Sequence, residues 1–146
     1  MALEIERKYL VKDDSYKALA EKKYRIRQGY LQRIPERTVR VRTKDNRGFL
    51  TVKGKNEGIV REEFEYEIPY TDAVSMLALC EGTIIDKTRY IIAYNGLTWE
   101  VDEFHGSLSP LTVAEVELPA DDYVAEIPEF IGQEVTGDPK YYNSMM

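Results

Sequence analysis

Glu4-Ile5-Glu6-Arg7-Lys8 reads as a β-strand whose charges fall on one side. Side chains alternate across a strand, so Glu4, Glu6 and Lys8 share a face, while Leu3, Ile5 and Tyr9 share the other, interrupted by Arg7. Two carboxylates and an ammonium in a row can hold a divalent cation and a phosphate together. The same row can also be a solvated strand face, which is the commoner meaning of such alternation. The rest of the chain has to decide.

Working outward, the pattern recurs. Arg40 and Arg42 alternate with Val39 and Val41, and Thr51, Lys53 and Lys55 with Leu50 and Val52. Arg61, Glu63, Glu65 and Glu67 oppose Phe64, Tyr66 and Ile68; Lys87 and Arg89 alternate with Tyr90 and Ile92. Glu100 and Asp102 stand against Leu97, Trp99 and Val101, and Glu115 and Glu117 against Ala114, Val116 and Leu118. A less clean segment, 24–33, carries Gln28 and Tyr30 on one face. These are about eight strand candidates of period two. Asp45-Asn46-Arg47-Gly48 and Asn95-Gly96 are hairpin signals, so antiparallel pairing is expected. Helices are predicted over 15–23, capped by Asp13 or Asp14, and over 72–81, capped by Thr71 and stopped by Gly82. A weaker third helix is placed at 128–135.

Composition bounds the class. A chain of 146 residues without repeats or linkers reads as a single domain, 1–146, long enough to bury a core. Charged residues make up 32%, and the net charge of −6 argues against a general nucleic-acid surface. One cysteine, Cys80, excludes an internal disulfide and a Cys-based zinc cluster; in its apolar stretch it reads as an inert thiol. The only histidine, His105, reads as a solvated turn residue beside Gly106. With neither a signal peptide nor an apolar run of about 18 residues, a soluble cytoplasmic protein without membrane contact is expected.

Two models place the charges. In one they face water and the apolar faces pack beneath helices or a second sheet. In the other the sheet closes with its charges inward. Burying such a ring is expensive unless opposite signs pair and water, metal or an anionic ligand fills the space. Both signs are interleaved here, and pattern alone leaves both models open.

The ordered series of motifs resembles the CYTH family, the triphosphate tunnel metalloenzymes, across nearly the whole chain. Glu4-x-Glu6-x-Lys8 is similar to the family's ExExK signature. Gln28-Gly29-Tyr30-Leu31, Arg40-Val41-Arg42, Thr51-Val52-Lys53-Gly54, Arg61-x-Glu63-x-Glu65, Lys87-x-Arg89, Trp99-x-Val101-Asp102 and Glu115-x-Glu117 follow in the family's order. The resemblance implies a mainly β fold with peripheral helices, built as a closed eight-stranded antiparallel barrel with a charged interior.

It also implies a function: metal-dependent hydrolysis of inorganic tripolyphosphate to pyrophosphate and phosphate by water attack inside the tunnel. Lys8, Arg40, Arg42, Lys53, Lys55, Arg61 and Arg89 would bind the substrate, Lys55 less securely because it nears a strand end. Arg adds bidentate geometry toward phosphate. Glu4, Glu6, Glu115, Glu117 and Asp102 are the metal set for one or two Mg²⁺ or Mn²⁺ ions, which prefer oxygen ligands and retain water. Glu4, Glu6, Lys8, Glu63 and Glu65 are the catalytic set; Glu63, Glu65, Glu100 and Asp102 are open to second-metal, water-positioning or cation-holding roles. Adenylate cyclase of the class IV type and thiamine or nucleoside triphosphatase are enzymatic alternatives on the same scaffold. A catalytically silent polyphosphate-binding module is the non-enzymatic one. Lys140, in a C-terminal segment similar to the family's closing stretch, would contact substrate or cap a tunnel mouth. The expected partner is a small anionic substrate, with no nucleic acid, and an exposed edge leaves room for a homodimer.

Overall fold

The computed structural model describes residues 3–146. Alternating faces become strands β1 (Leu3–Val11), β2 (Lys22–Gln32), β3 (Arg37–Lys44), β4 (Arg47–Gly54), β5 (Val60–Ile68), β6 (Glu81–Tyr94), β7 (Leu97–Phe104), β8 (Thr112–Glu117) and β9 (Ile131–Glu134). Helices α1 (Tyr16–Leu19) and α2 (Tyr70–Leu77) lie between them. The first eight strands pair antiparallel in the order β5-β4-β3-β2-β6-β7-β8-β1, and β1 returns to β5, closing a barrel. The Asn95-Gly96 turn closes its hairpin with both residues left-handed, at φ 50° and 81°, which suits the twist of the flanking strands.

The ladders around the barrel are unequal. β3 and β4 pair over their whole lengths, Arg37 to Gly54 through Lys44 to Arg47. β1 and β5 meet only at Leu3–Glu62, Glu4–Arg61 and Ile5–Val60, extended by the Glu6 amide donating to the Ile59 carbonyl at 3.1 Å. Beyond that seam the same edge of β1 takes β9, with Tyr9 opposite Glu134 and Val11 opposite Ile131.

Most of the apolar core lies outside the barrel wall. Tyr9, Ile92, Trp99, Val101, Ala114 and Val116 project from β1, β6, β7 and β8 into a layer that Tyr16 of α1, Phe130 and Ile131 complete. Helix α2 covers Val41 on β3 with Ala73 and Leu77. A smaller cluster of Tyr30, Ile85, Phe104 and Val113, packed by Leu10 and Met146, lies instead on the inward face, in step with Lys87, Asp102, Glu115 and Lys8. Burying apolar outer faces drives closure, and the charged faces are turned inward by the same alternation. This answers the placement question in favour of the closed sheet.

Three helix expectations change. The first shrinks to the four residues of α1, because Lys22 and Lys23 join the β2 ladder opposite Ile91 and Tyr90. The second starts earlier, at Tyr70 just after Pro69, and ends at Leu77; Gly82, at φ 73°, sits inside β6 rather than capping a helix. The third is replaced by strand β9, whose Gly132 comes so near β1 that a Cβ there would meet the Leu10 carbonyl oxygen at 3.2 Å. In each case pairing in the sheet overrides a weak local propensity. No helix among the described residues is long and apolar enough to cross a membrane.

Candidate active site

The inward side chains enclose a cavity of about 430 Å³. Seven bases (Lys8, Arg40, Arg42, Lys53, Arg61, Lys87, Arg89) and seven acids (Glu4, Glu6, Glu63, Glu65, Glu100, Glu115, Glu117) line it. Strand order separates the signs. β6, β2, β3 and β4 form an arc that carries Lys87, Arg89, Arg40, Arg42 and Lys53; β7, β8 and β1 carry Glu100, Glu115, Glu117, Glu4 and Glu6 with Lys8 among them; and β5, between β4 and β1, carries Arg61, Glu63 and Glu65. The lining is balanced in charge, so an added polyanion needs cations to enter with it.

Cations of the basic arc are braced by their neighbours. Arg89 makes two parallel bonds to Asp102, at 2.8 and 2.9 Å, and Lys87 Nζ lies 2.8 Å from the same carboxylate. Arg40 and Arg42 share one oxygen of Glu65, at 3.3 and 3.1 Å, and Thr51 Oγ1 donates to that oxygen at 2.9 Å. Arg61 donates to the Gly54 carbonyl at 2.6 Å and to Thr38 Oγ1 at 3.0 Å. Among the described residues Arg61 has no carboxylate within 4 Å, and the buried Nε atoms of Arg40 and Arg42 have no acceptor. Burial, and then the neighbouring Arg40 and Arg89, bring Arg42 down to about 10. This arc holds more positive charge than its own carboxylates offset, which is an anion site in waiting.

On the other arc the carboxylates face one another. Burial, reinforced by the charge of Glu115 and Glu4, pushes Glu6 well above the carboxylate range. Burial likewise lifts Glu4 to about 7 against the pull of Lys53, and its bond to Glu63 adds to the rise. Glu117 moves up through burial and the proximity of Glu63 and Glu100. Among the described residues, neither Glu6 nor Glu117 has a basic side chain within 4 Å. Glu115 differs: burial would raise it, yet Lys8 at 3.4 Å, together with Arg89, brings it to about 2. Glu63 reaches about 2 as well, since the hydrogen bond from Glu4 and the charge of Lys53 overcome its burial.

Such crowded, under-neutralised oxygen donors fit a hard divalent cation, whose charge would remove the repulsion that raises them. No three His, Cys, Asp or Glu side chains among the described residues form a ready-made metal cluster. The fit is therefore to an ion that takes one or two carboxylates and keeps waters, as Mg²⁺ does.

Most of the sequence-predicted residues meet here. Glu4, Glu6, Lys8, Arg40, Arg42, Lys53, Arg61, Glu63, Glu65, Arg89, Glu115 and Glu117 all line the cavity. Lys55 does not: β4 ends at Gly54, the alternation ends with it, and Lys55 is exposed. Asp102 leaves the expected metal set, because it does not line the cavity and has both oxygens held by Arg89 and Lys87. Lys87, two residues before Arg89 on β6, joins the lining as a further cation; burial lowers it to about 8 despite Asp102. Gln28 Nε2 and Lys87 Nζ both donate to Asn143 Oδ1 at 2.9 Å, a C-terminal contact with no periodicity to announce it. Lys140 is exposed, near the ring of Tyr141, and does not line the cavity. His105 bonds Thr88 Oγ1 at 2.7 Å, away from the cavity, and Cys80 is a half-buried thiol whose pKa burial raises.

Comparison with known proteins agrees with this geometry. The CYTH domain model matches residues 2–142. An inorganic triphosphatase of Acetivibrio thermocellus is 50% identical over 145 residues, covering 99% of this chain and 92% of that one. An inorganic triphosphatase of Nitrosomonas europaea is 35% identical over 150 residues, covering 98% and 95%. A crystal structure of the inorganic triphosphatase NE1496 superposes with a TM-score of 0.69 at 33% identity, over 99% of this chain and 94% of that one. With a family match over almost its whole length and the barrel closed around its charges, this chain belongs to the CYTH domain family.

Proposed function

We propose that this protein is a metal-dependent triphosphatase that hydrolyses inorganic tripolyphosphate to pyrophosphate and phosphate. One observation carries the proposal: a cavity inside the closed barrel, with an under-neutralised basic arc facing an arc of crowded carboxylates. The related inorganic triphosphatases support the substrate class.

Arg40, Arg42, Lys53, Arg61 and Arg89, with Lys8 and Lys87, hold the phosphoryl oxygens and stabilise the charge that builds on them during transfer. Glu6 and Glu117, with Glu4 and Glu115 beside them, would hold a divalent ion, Mg²⁺ or Mn²⁺. When bound, that ion supplies Lewis-acid neutralisation of phosphoryl charge. Glu4 and Glu63 are close enough to share a proton, and this pair orients the attacking water. The water oxygen bonds to the terminal phosphorus, the bridging P–O bond breaks, and pyrophosphate leaves carrying the electron pair. The water's proton passes to the carboxylate pair. Asp102, on the same inward face beside them, fixes the orientation of Arg89 and Lys87.

Phosphate release tests the proposal, with tripolyphosphate, ATP and thiamine triphosphate compared in Mg²⁺ or Mn²⁺ while cyclic AMP and pyrophosphate are followed. Preferential cleavage of tripolyphosphate is expected. Cyclic AMP with pyrophosphate from ATP would make the protein a cyclase; absence of turnover on all three would make it a binding module.

A further inference from the structure

One cation of the inward face stands outside the cavity lining. Lys44 follows Arg42 by two residues on β3 and so shares its face, and β3 ends with it at the turn of Asp45 and Asn46. Its ladder partners are Ile26 on β2 and Arg47 on β4. From this end of the barrel β2 runs past Tyr24 to Gln28, whose amide holds Asn143 at 2.9 Å. Lys44 therefore marks the mouth away from the C-terminal segment. Its inward neighbours there are Tyr24, opposite Arg89 on β6, and Phe49, opposite Arg42 on β3.

The two cations at this mouth differ. Arg47 is exposed and bonds both oxygens of Glu67, at 2.6 and 3.0 Å, so its charge is already matched. Lys44 is half-buried, and among the described residues no carboxylate lies within 4 Å of its ammonium. Its Nζ lies 4.2 Å from the centroid of the Tyr24 ring, so an aromatic face rather than an acid holds it in place. An ammonium has three donors, and a ring face leaves donors free for an anion. Burial, and then the charges of Arg42 and Arg89, lower Lys44, which places it within electrostatic reach of both. The acids that also reach it are engaged elsewhere, Glu65 by Arg40 and Arg42 and Glu100 by Arg89. A chain of net charge −6 repels a polyanion at a distance, so approach depends on local positive charge at the entrance. We infer that Lys44 is a further substrate-binding residue, which takes phosphoryl oxygens at this mouth and leads the polyanion to Arg42 and Arg89. The inference rests on the triphosphatase reading above and adds to it a contact beyond the cavity lining.

Lys44→Met tests it, since the charge is lost while an unbranched side chain stays on the Tyr24 ring. Lys23→Met is the control. Lys23 adjoins Tyr24 on β2 but is exposed on the outer face, so the same charge is removed nearby without touching the mouth. With tripolyphosphate and Mg²⁺, Lys44→Met should raise KM about tenfold and retain kcat. Its kcat/KM should also fall less steeply with added salt than that of wild type. Lys44→Arg should recover most of the loss, and Lys23→Met should match wild type in KM and in salt dependence. An unchanged KM in Lys44→Met overturns the inference. So does an equal rise in Lys23→Met, which would make the effect one of overall charge. A lowered Tm and kcat with KM unchanged would make Lys44 structural and overturns it as well. If wild type cleaves no tripolyphosphate, the triphosphatase reading fails. Calorimetric binding of tripolyphosphate to the same proteins then decides Lys44 by itself: equal affinity in wild type and Lys44→Met overturns it.

Discussion

Glu115 and Glu117 stand two residues apart on β8 and both line the cavity, yet their carboxyls move in opposite directions. Glu115 opposes Lys8 across the β1 ladder and falls to about 2; Glu117 opposes Glu6 and rises. A single step of the alternation thus separates an internally satisfied layer from a frustrated one. Asp102, Glu65 and Glu115 belong to the first, where each carboxylate has a cation within 4 Å. Glu6 and Glu117 belong to the second. The satisfied layer is scaffold that orients cations; the frustrated layer gains its compensation from what binds.

The largest effect expected from this contrast is on Asp102. Asp102→Asn keeps the shape but leaves Lys87 and Arg89 nearly buried without their shared counter-charge. Breaking such a buried cluster should cost about 3–5 kcal/mol of stability, read as a lower denaturation midpoint with unchanged slope. A loss below about 1 kcal/mol, typical of an exposed pair, would mean that this layer is not the scaffold.

The same exchange of acid for amide at Glu6 should behave differently. Glu6→Gln removes one of the crowded charges, so the metal-free fold should be as stable as wild type or more so. Metal-dependent turnover should drop by at least about 100-fold, beyond what loss of an outer-shell contact usually costs a metal site. Full activity would remove Glu6 from the mechanism. The raised and the lowered acids also titrate with opposite signs. Glu4, near 7 in the folded protein against 4.5, binds more protons folded than unfolded, so its contribution is full below 4.5 and is lost as pH rises through 7. Glu63 and Glu115, near 2, contribute fully above 4.5 and lose that contribution as pH falls toward 2. Melting in chelator should therefore weaken between pH 4.5 and 7 through Glu4, and below 4.5 through the paired acids. Added Mg²⁺ at about a hundred times its Kd should raise Tm by several degrees at pH 7.5 and less at pH 5, where protons already occupy the acids. An equal rise at both values would detach the metal from the frustrated layer.

Much of this was legible in the sequence, for a physical reason: a strand with one polar and one apolar face has the same period wherever it sits, so β-strands and their inward residues could be read residue by residue. Period two could not say whether the polar face met water or a cavity, because both give the same alternation. The ordered motifs supplied that choice. Lys55 was misplaced because alternation has no marker for where a strand ends, and Asp102 because a face does not reveal which of its carboxylates a neighbour has already claimed. Asn143 was missed since its contact with Gln28 joins residues 115 positions apart through a segment of short turns.

Arg42 gives the smallest effect and the finest test of the boundary between the layers. It lies 3.1 Å from Glu65, but Glu65 also keeps Arg40 and Thr51 Oγ1, so Arg42→Ala leaves no carboxylate stranded. The change even relieves the repulsion from Arg40 and Arg89 that adds to burial in lowering Arg42 to about 10. Stability should therefore hold. The loss should appear in substrate binding, where one charge-assisted hydrogen bond is worth about 1.5–3 kcal/mol, so KM for tripolyphosphate should rise roughly 10-fold or more. Arg42→Lys restores the charge without the planar fork and should recover only part of that loss. An unchanged KM with a lowered Tm would place Arg42 among the scaffold cations beside Arg89, and the substrate's main purchase would then move to Arg61, which has no carboxylate within 4 Å among the described residues.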